Sequence, residues 1–128
     1  SFSDNRFYIF GNPSDKTIKV SCLNYLISNN SYDYITIDGL NLTGAILFAI
    51  NMLNGSTYCT VQNCTVSYIG ESGIRCDNAG YHLYDNNFMT DINRAAIYCN
   101  NSGTNSVFRH LVLLPNSKLD FLPLRVIF

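Results

Sequence analysis

Arg75 and Asp77 flank Cys76, and one repeat further along the chain Tyr98 and Asn100 flank Cys99 in the same way. If the two cysteines face inward, these four side chains face outward together. A cation, a carboxylate, an aromatic ring and an amide then form a set suited to a sugar, with Tyr98 as the stacking platform and Arg75 pairing a sugar carboxylate through parallel N–H donors. Glu71 and Arg94 repeat the logic, each three residues before an isoleucine (Ile74, Ile97). The spacing makes them neighbours on successive repeats, either as a surface ion pair worth under about 1 kcal/mol or as a clamp in which Arg94 takes a substrate carboxylate. Asp91, in the bend before Arg94, would join Glu71 at a Ca²⁺ ion; Ca²⁺ needs several oxygen ligands, so the rest would come from outside this chain. Asp85 with Arg109, and Asn86 with His110, share bend positions that suit ladder pairs as well as ligands. His82 is expected outward between Thr60 and Ser106 as a solvated strand histidine. No catalytic residue is identified by these spacings.

The elements that must carry these residues follow from a repeat. Asn54-Gly55-Ser56, Asn78-Ala79-Gly80 and Asn101-Ser102-Gly103 recur at a nearly constant step, preceded by Ile50/Met52, Ile74/Cys76 and Ile97/Cys99. A period in this range marks a solenoid, whose turns bury their apolar faces on one another. Segments starting at Tyr34, Tyr58, Gly80 and Thr104 align as equivalents on successive turns. Positions 35/37, 59/61 and 81/83 alternate as half-buried strands do, a second strand ends at Leu42, Val66, Phe88 and Val112, and the isoleucine pairs form a third. Three short strands per turn, bent at Gly or Asn, predict an all-β parallel β-helix of about five turns of 22–24 residues. Regular repeats span about 34–112, residues 1–33 make an irregular first turn, and 113–128 form a cap or a cut end. Asn54, Asn78 and Asn101 then stack at one bend as a structural ladder of side-chain amides.

Composition narrows the partners. Eight Lys+Arg against nine Asp+Glu, scattered and summing to a net charge of -1, give no basic stripe for nucleic acid. The longest apolar stretch, 40–53, is interrupted by Asn41, Thr43, Gly44 and Asn51 and is too short for a membrane span. The five cysteines (22, 59, 64, 76, 99) form no C-x-x-C pair, which argues against zinc. Cys76 and Cys99 share one position with Met52 and read as reduced, buried apolar residues.

The strings I-T-I-D-G-L-N-L, V-Q-N-C-T-V-S-Y-I-G-E-S-G-I and L-Y-D-N-N-F resemble the repeats of the right-handed parallel β-helix proteins of the pectin lyase-like superfamily, over roughly residues 18–112. The resemblance implies a secreted or cell-surface location, a polysaccharide partner, and further β-helix turns in a longer parent chain. In that superfamily the uronate lyases combine Ca²⁺-binding carboxylates with an Arg or Lys base, and the hydrolases carry N-T-D, D-D, G-H-G and R-I-K strings. Those four strings, and the W-I-D-H element of pectate lyases, do not occur here. Two functions are therefore expected: a segment that binds or processes a polysaccharide, lyase-like or glycosidase-like; or a noncatalytic adhesin-like module or scaffold. A solenoid cut at its ends exposes edges and is expected to self-associate.

Overall fold

The structure, a computed structural model, describes residues 14, 17, 19–100 and 105–114, with the backbone of 119–121. The first turn comprises β1 (Tyr25–Asn30), β2 (Thr36–Asp38) and β3 (Asn41–Thr43), and the second β4 (Phe48–Leu53), β5 (Thr60–Gln62) and β6 (Thr65–Ile69). The third holds β7 (Ser72–Asp77), β8 (Leu83–Asp85) and β9 (Phe88–Ile92), and the fourth β10 (Ala95–Asn100), β11 (Val107–Arg109) and β12 (Val112–Leu113). A further strand, β13 (Leu119–Phe121), lies beyond β10. Corresponding strands pair in parallel, giving three sheets: β1-β4-β7-β10-β13, β2-β5-β8-β11 and β3-β6-β9-β12. The chain is thus an all-β parallel β-solenoid with three strands per turn and about four turns among the described residues.

Side chains stack inside the coil in columns. Ile50, Ile74 and Ile97 pair in register, as do Met52, Cys76 and Cys99. The second sheet contributes Ile37, Val61, Tyr84 and Phe108 and the third Leu42, Val66, Met89 and Leu113. Apart from the half-exposed Leu113, each of these is buried, and burying such a side chain contributes about 1.5–3 kcal/mol. Small residues let the turns approach. A Cβ on Gly70 would overlap the Ile46 carbonyl oxygen, and one on Gly73 would lie 2.6 Å from that of Ala96.

The register corrects the third turn. Thr60 pairs with Leu83 and Val61 with Tyr84, so the segment equivalent to the one starting at Tyr58 begins at Tyr81 and not at Gly80. A slip of one residue exchanges the inner and outer faces of a strand. Tyr84, not Leu83, is therefore the core side chain, and Met89, not Phe88, continues the column of Val66. The fourth turn shifts likewise: its equivalent segment begins at Asn105 and not at Thr104, Leu113 and not Val112 continues the Met89 column, and Ser106, expected outward, is buried. His82 moves from the predicted outer face to the interior, where it is 2% exposed.

Each turn bends at left-handed residues, and these also form columns: Ser31, Asn54 and Asn78; Tyr34, Tyr58, Tyr81 and Asn105; Gly39, Asn63, Asn86 and His110; Gly44, Tyr68 and Asp91. Many of these bends turn their N–H toward the next turn. Tyr34 donates to the Thr57 carbonyl, Gly39 to Gln62, Tyr58 to Gly80 and Asn63 to Asp85. The residue after a bend has an N–H that the strand ladder leaves over, and a polar side chain from the next turn accepts it inside the coil. Cys59 N–H donates to His82 Nδ1 at 3.1 Å, Cys64 N–H to Asn87 Oδ1 at 3.0 Å, and His82 N–H to Ser106 Oγ at 3.1 Å. This accounts for the burial of His82, Asn87 and Ser106, because an unpaired buried N–H costs about 1–3 kcal/mol.

Asn54 and Asn78 supply the bend conformation at φ of 55° and 51°. The Asn54 amide donates to Asn30 Oδ1. Asn101, the third of the predicted ladder, lies outside the described residues. The five cysteines are free thiols, Cys22 exposed and the others buried. Burial raises the pKa of the Cys59 thiol, and Tyr84 Oη bonds Cys76 Sγ inside the core. Among the described residues no helix is long and apolar enough to cross a membrane.

Candidate functional site on the outer face of the five-stranded sheet

The sheet containing β1, β4, β7 and β10 carries the candidate residues because its inner columns are fixed. With Ile50/Ile74/Ile97 and Met52/Cys76/Cys99 buried, the residues between them, Asn51, Arg75 and Tyr98, form an outer column in register. Asp77 and Asn100 pair at the next outer position.

Arg75 Nη2 bonds Asp77 Oδ2 at 2.5 Å on its own strand. Its guanidinium also lies 5.3 Å from the ring centre of Phe48, which stacks on Tyr25 at 5.9 Å. Asn100 Nδ2 donates to Asp77 Oδ1 at 3.4 Å. Arg94, in the bend before β10, bonds Glu71 Oε1 at 2.8 Å. Its guanidinium rests 4.3 Å from the centre of the Tyr98 ring. The predicted residues Arg75, Asp77, Tyr98, Arg94 and Glu71 thus occupy two adjacent rungs. Asp91 stands apart from them in a bend column with Gly44 and Tyr68, accepting a hydrogen bond from Thr90 Oγ1 at 3.0 Å. Among the described residues no group of three or more His, Cys, Asp or Glu is arranged to hold a metal ion.

The electrostatics constrain the chemistry. The hydrogen bond to Glu71, opposed by some desolvation and reinforced by Tyr98, raises the Arg94 pKa above its ordinary value. Arg94 is therefore held as a cation, suited to binding an anion and unsuited to removing a proton. Both arginines already hold a carboxylate of the protein, so an anionic sugar would exchange with Asp77 or Glu71, or bridge beside them.

Three buried polar groups on β4 and β7 lack hydrogen-bond partners: both amide atoms of Asn51, the Ser72 hydroxyl and Arg75 Nε. Asn51 is 1% exposed and adjoins Arg75 in the ladder, while Ser72 pairs with Phe48. Native proteins rarely leave such groups unpaired without a reason. Their atoms lie buried beneath the surface that carries the Arg75 guanidinium. Sequence reasoning missed Asn51, Ser72 and Phe48, although the repeat step from Asn51 to Arg75 places those two in one column.

The second sheet bears a separate polar ladder. Asp85 bonds Arg109 at 2.7 Å and His110 at 2.9 Å, and hydrogen bonds from Arg109 first and His110 second lower its pKa. Asp38 accepts from Gln62 and Asn63, each at 2.8 Å. These contacts join successive turns, the ladder role open to them in the sequence. An open cleft of about 440 Å³ lined by Thr17, Lys19, Val20, Ser21, Thr43, Gly44 and Tyr68 shares no residue with the five-stranded sheet.

No protein-family model, curated protein or solved structure matches this chain. The functional reading therefore rests on the residues themselves.

Proposed function

We propose that this chain is a polysaccharide-binding segment of a larger, secreted or cell-surface β-helix protein similar to the pectin lyase-like superfamily, and that the outer face of the five-stranded sheet binds the glycan. The observation that carries the reading is the half-exposed Arg75–Asp77 pair with half-exposed Tyr98 and Asn100 in register beside it on the next rung. A glycan laid across β7 and β10 would meet Arg75, the Tyr98 ring and the Asn100 amide. Arg75 would take a uronate carboxylate in exchange for Asp77, and Arg94, seated on Tyr98, would take a second.

Binding is better supported than processing by these residues. The superfamily's lyase chemistry needs a base near the C5 proton and a cation at the developing enolate; Arg94 supplies a cation alone. Glu71 and Asp91, the residues proposed for Ca²⁺, stand in different bonding groups, Glu71 with Arg94 and Asp91 with Thr90, and Ca²⁺ is kept as a variable of the test. Catalysis, where the parent protein has it, would come from other turns.

A glycan array probed with this chain, paired with a depolymerisation assay with and without Ca²⁺, tests the proposal. Retention of uronate-containing glycans, weakened about tenfold by Arg75→Ala and reduced by salt, is the expected result. Absence of retention on every acidic glycan would sink the binding reading, and Ca²⁺-dependent cleavage by this chain alone would replace it with an enzymatic one.

A further inference from the structure

Five N-x-S/T strings, at Asn29, Asn41, Asn54, Asn63 and Asn100, have the form that accepts an N-linked glycan. The coil treats them unequally. Asn29 is 5% exposed and its amide is closed on Tyr32, donating to that carbonyl at 2.8 Å and accepting that N–H at 3.1 Å. Asn54 donates to Asn30, and the Ser56 hydroxyl that completes its string is fully buried. Asn63 is held from both sides, donating to Asp38 Oδ1 at 2.8 Å and accepting from Asn86 Nδ2 at 2.7 Å. Asn100 is half-buried and donates to Asp77 Oδ1 at 3.4 Å. A sugar on any of these four would be linked through a nitrogen that already serves the fold.

The string Asn41-Leu42-Thr43 differs in each respect. It is β3 itself, with Asn41 and Thr43 exposed on either side of the buried Leu42. Pairing with β6 fixes the strand, so both side chains are held on one outer face. The Asn41 amide makes no side-chain hydrogen bond among the described residues, while Thr43 Oγ1 accepts from Ser67 Oγ at 3.2 Å. β3 is also the last strand of its sheet among the described residues, and Thr65 on β6 is the register neighbour of Asn41.

We infer that Asn41 is the N-glycan acceptor of this chain, taking an oligosaccharide from a lipid-linked pyrophosphate donor. In the transfer Asn41 Nδ2 bonds to C1 of the first sugar, and the bond between C1 and the pyrophosphate oxygen breaks. The lipid pyrophosphate leaves with that electron pair, and the amide gives up one proton. No hydrogen bond of the coil is lost, because the nitrogen holds none. The glycan projects from the β3-β6-β9-β12 sheet, a different face from the one that carries Arg75 and Tyr98. The inference rests on the secreted or cell-surface reading, since the transferring enzyme works in the secretory lumen, and is independent of the acidic-glycan site.

The test expresses the chain behind a secretory leader in a eukaryotic host and maps the secreted product by mass spectrometry, after an N-glycosidase that converts each glycosylated Asn to Asp. Asn41 should be the most occupied of the five strings. Asn41→Gln and Thr43→Ala should each remove that glycan and its shift on a denaturing gel, and Thr43→Ser should keep it. All three alter exposed side chains and should be secreted as wild type is. An empty Asn41 in the secreted chain, or occupancy of another string equal to or above that of Asn41, overturns the inference. The supplied leader fixes the compartment, so the two readings fail separately: an occupied Asn41 on a chain that retains no acidic glycan sinks the binding reading alone, and an empty Asn41 on a chain that retains one sinks this inference alone.

Discussion

Acidification from pH 7 to pH 4 should destabilise this fold through one side chain, His82. Its Nδ1 accepts the Cys59 N–H, and its ring stands edge-on to Tyr84 with centroids 6.0 Å apart. Desolvation pulls its pKa down to about 4, against the smaller opposing effects of the Cys59 hydrogen bond and of Asp33. In the unfolded chain an imidazole takes up its proton below about 6.5. Between those values the unfolded state binds more protons than the folded one, so stability falls as pH falls. The His82 contribution is fully present above pH 6.5, is lost progressively down to about pH 4, and changes no further below it. At about 1.4 kcal/mol for each pH unit the loss comes to about 3 kcal/mol, a large share of the total stability of a small domain. Urea unfolding at half-unit steps from pH 7.5 to 4 measures it, with His82→Asn as the comparison. Asn is chosen because Asn87 Oδ1 accepts the Cys64 N–H in the same manner without titrating. Wild type should lose about 3 kcal/mol more than the variant across that window. Parallel curves for wild type and His82→Asn would refute the burial of His82, and with it the register of the third turn.

Other perturbations probe the interior. Gly73→Ala places a methyl 2.6 Å from the Ala96 carbonyl oxygen and should cost about 2 kcal/mol in urea unfolding; an unchanged midpoint would mean that the turns are further apart than described. Tyr84→Phe removes only the hydroxyl bonded to Cys76 and should cost about 1 kcal/mol. Tyr84→Ala empties the core and should cost about 4 kcal/mol, as thermal unfolding would show. Ellman's reagent should modify one thiol per folded chain, Cys22, and five after unfolding; rapid modification of a second would contradict the burial of the cysteine column.

Much of the architecture is legible in the sequence because stacking imposes identical demands on every turn. The Ile50/Ile74/Ile97 and Met52/Cys76/Cys99 columns alternate inward in each repeat and name their own register, which in turn brings Arg75, Asp77, Tyr98, Glu71 and Arg94 to one region. The third turn, and the fourth aligned to it, are misplaced by one residue in the sequence pattern because Leu83 is the more conventional core residue. The fold instead buries Tyr84, whose hydroxyl finds Cys76, and His82, whose ring nitrogen satisfies a leftover N–H. Those partnerships are long-range and leave no trace in local alternation. The tyrosine bend column escapes a sequence reading for a different reason. Tyrosine is not a bend residue by propensity, so Tyr34, Tyr58 and Tyr81 do not announce a bend, although they keep the same spacing as Asn54, Asn78 and Asn101. The unpaired Asn51 amide is invisible in sequence because hydrogen-bond satisfaction is a property of packing.

The proposed acidic-glycan site lies on the outer face of the β1-β4-β7-β10 sheet, at Arg75 and its neighbours Asp77, Tyr98 and Asn100. Calorimetric titration of wild type, Arg75→Ala and Tyr58→Asn with oligogalacturonate at two salt concentrations tests it most directly. Binding should weaken with salt, fall about tenfold or more in Arg75→Ala, and persist in Tyr58→Asn. Equal affinity in wild type and Arg75→Ala, or no measurable heat in any of the three, would contradict it.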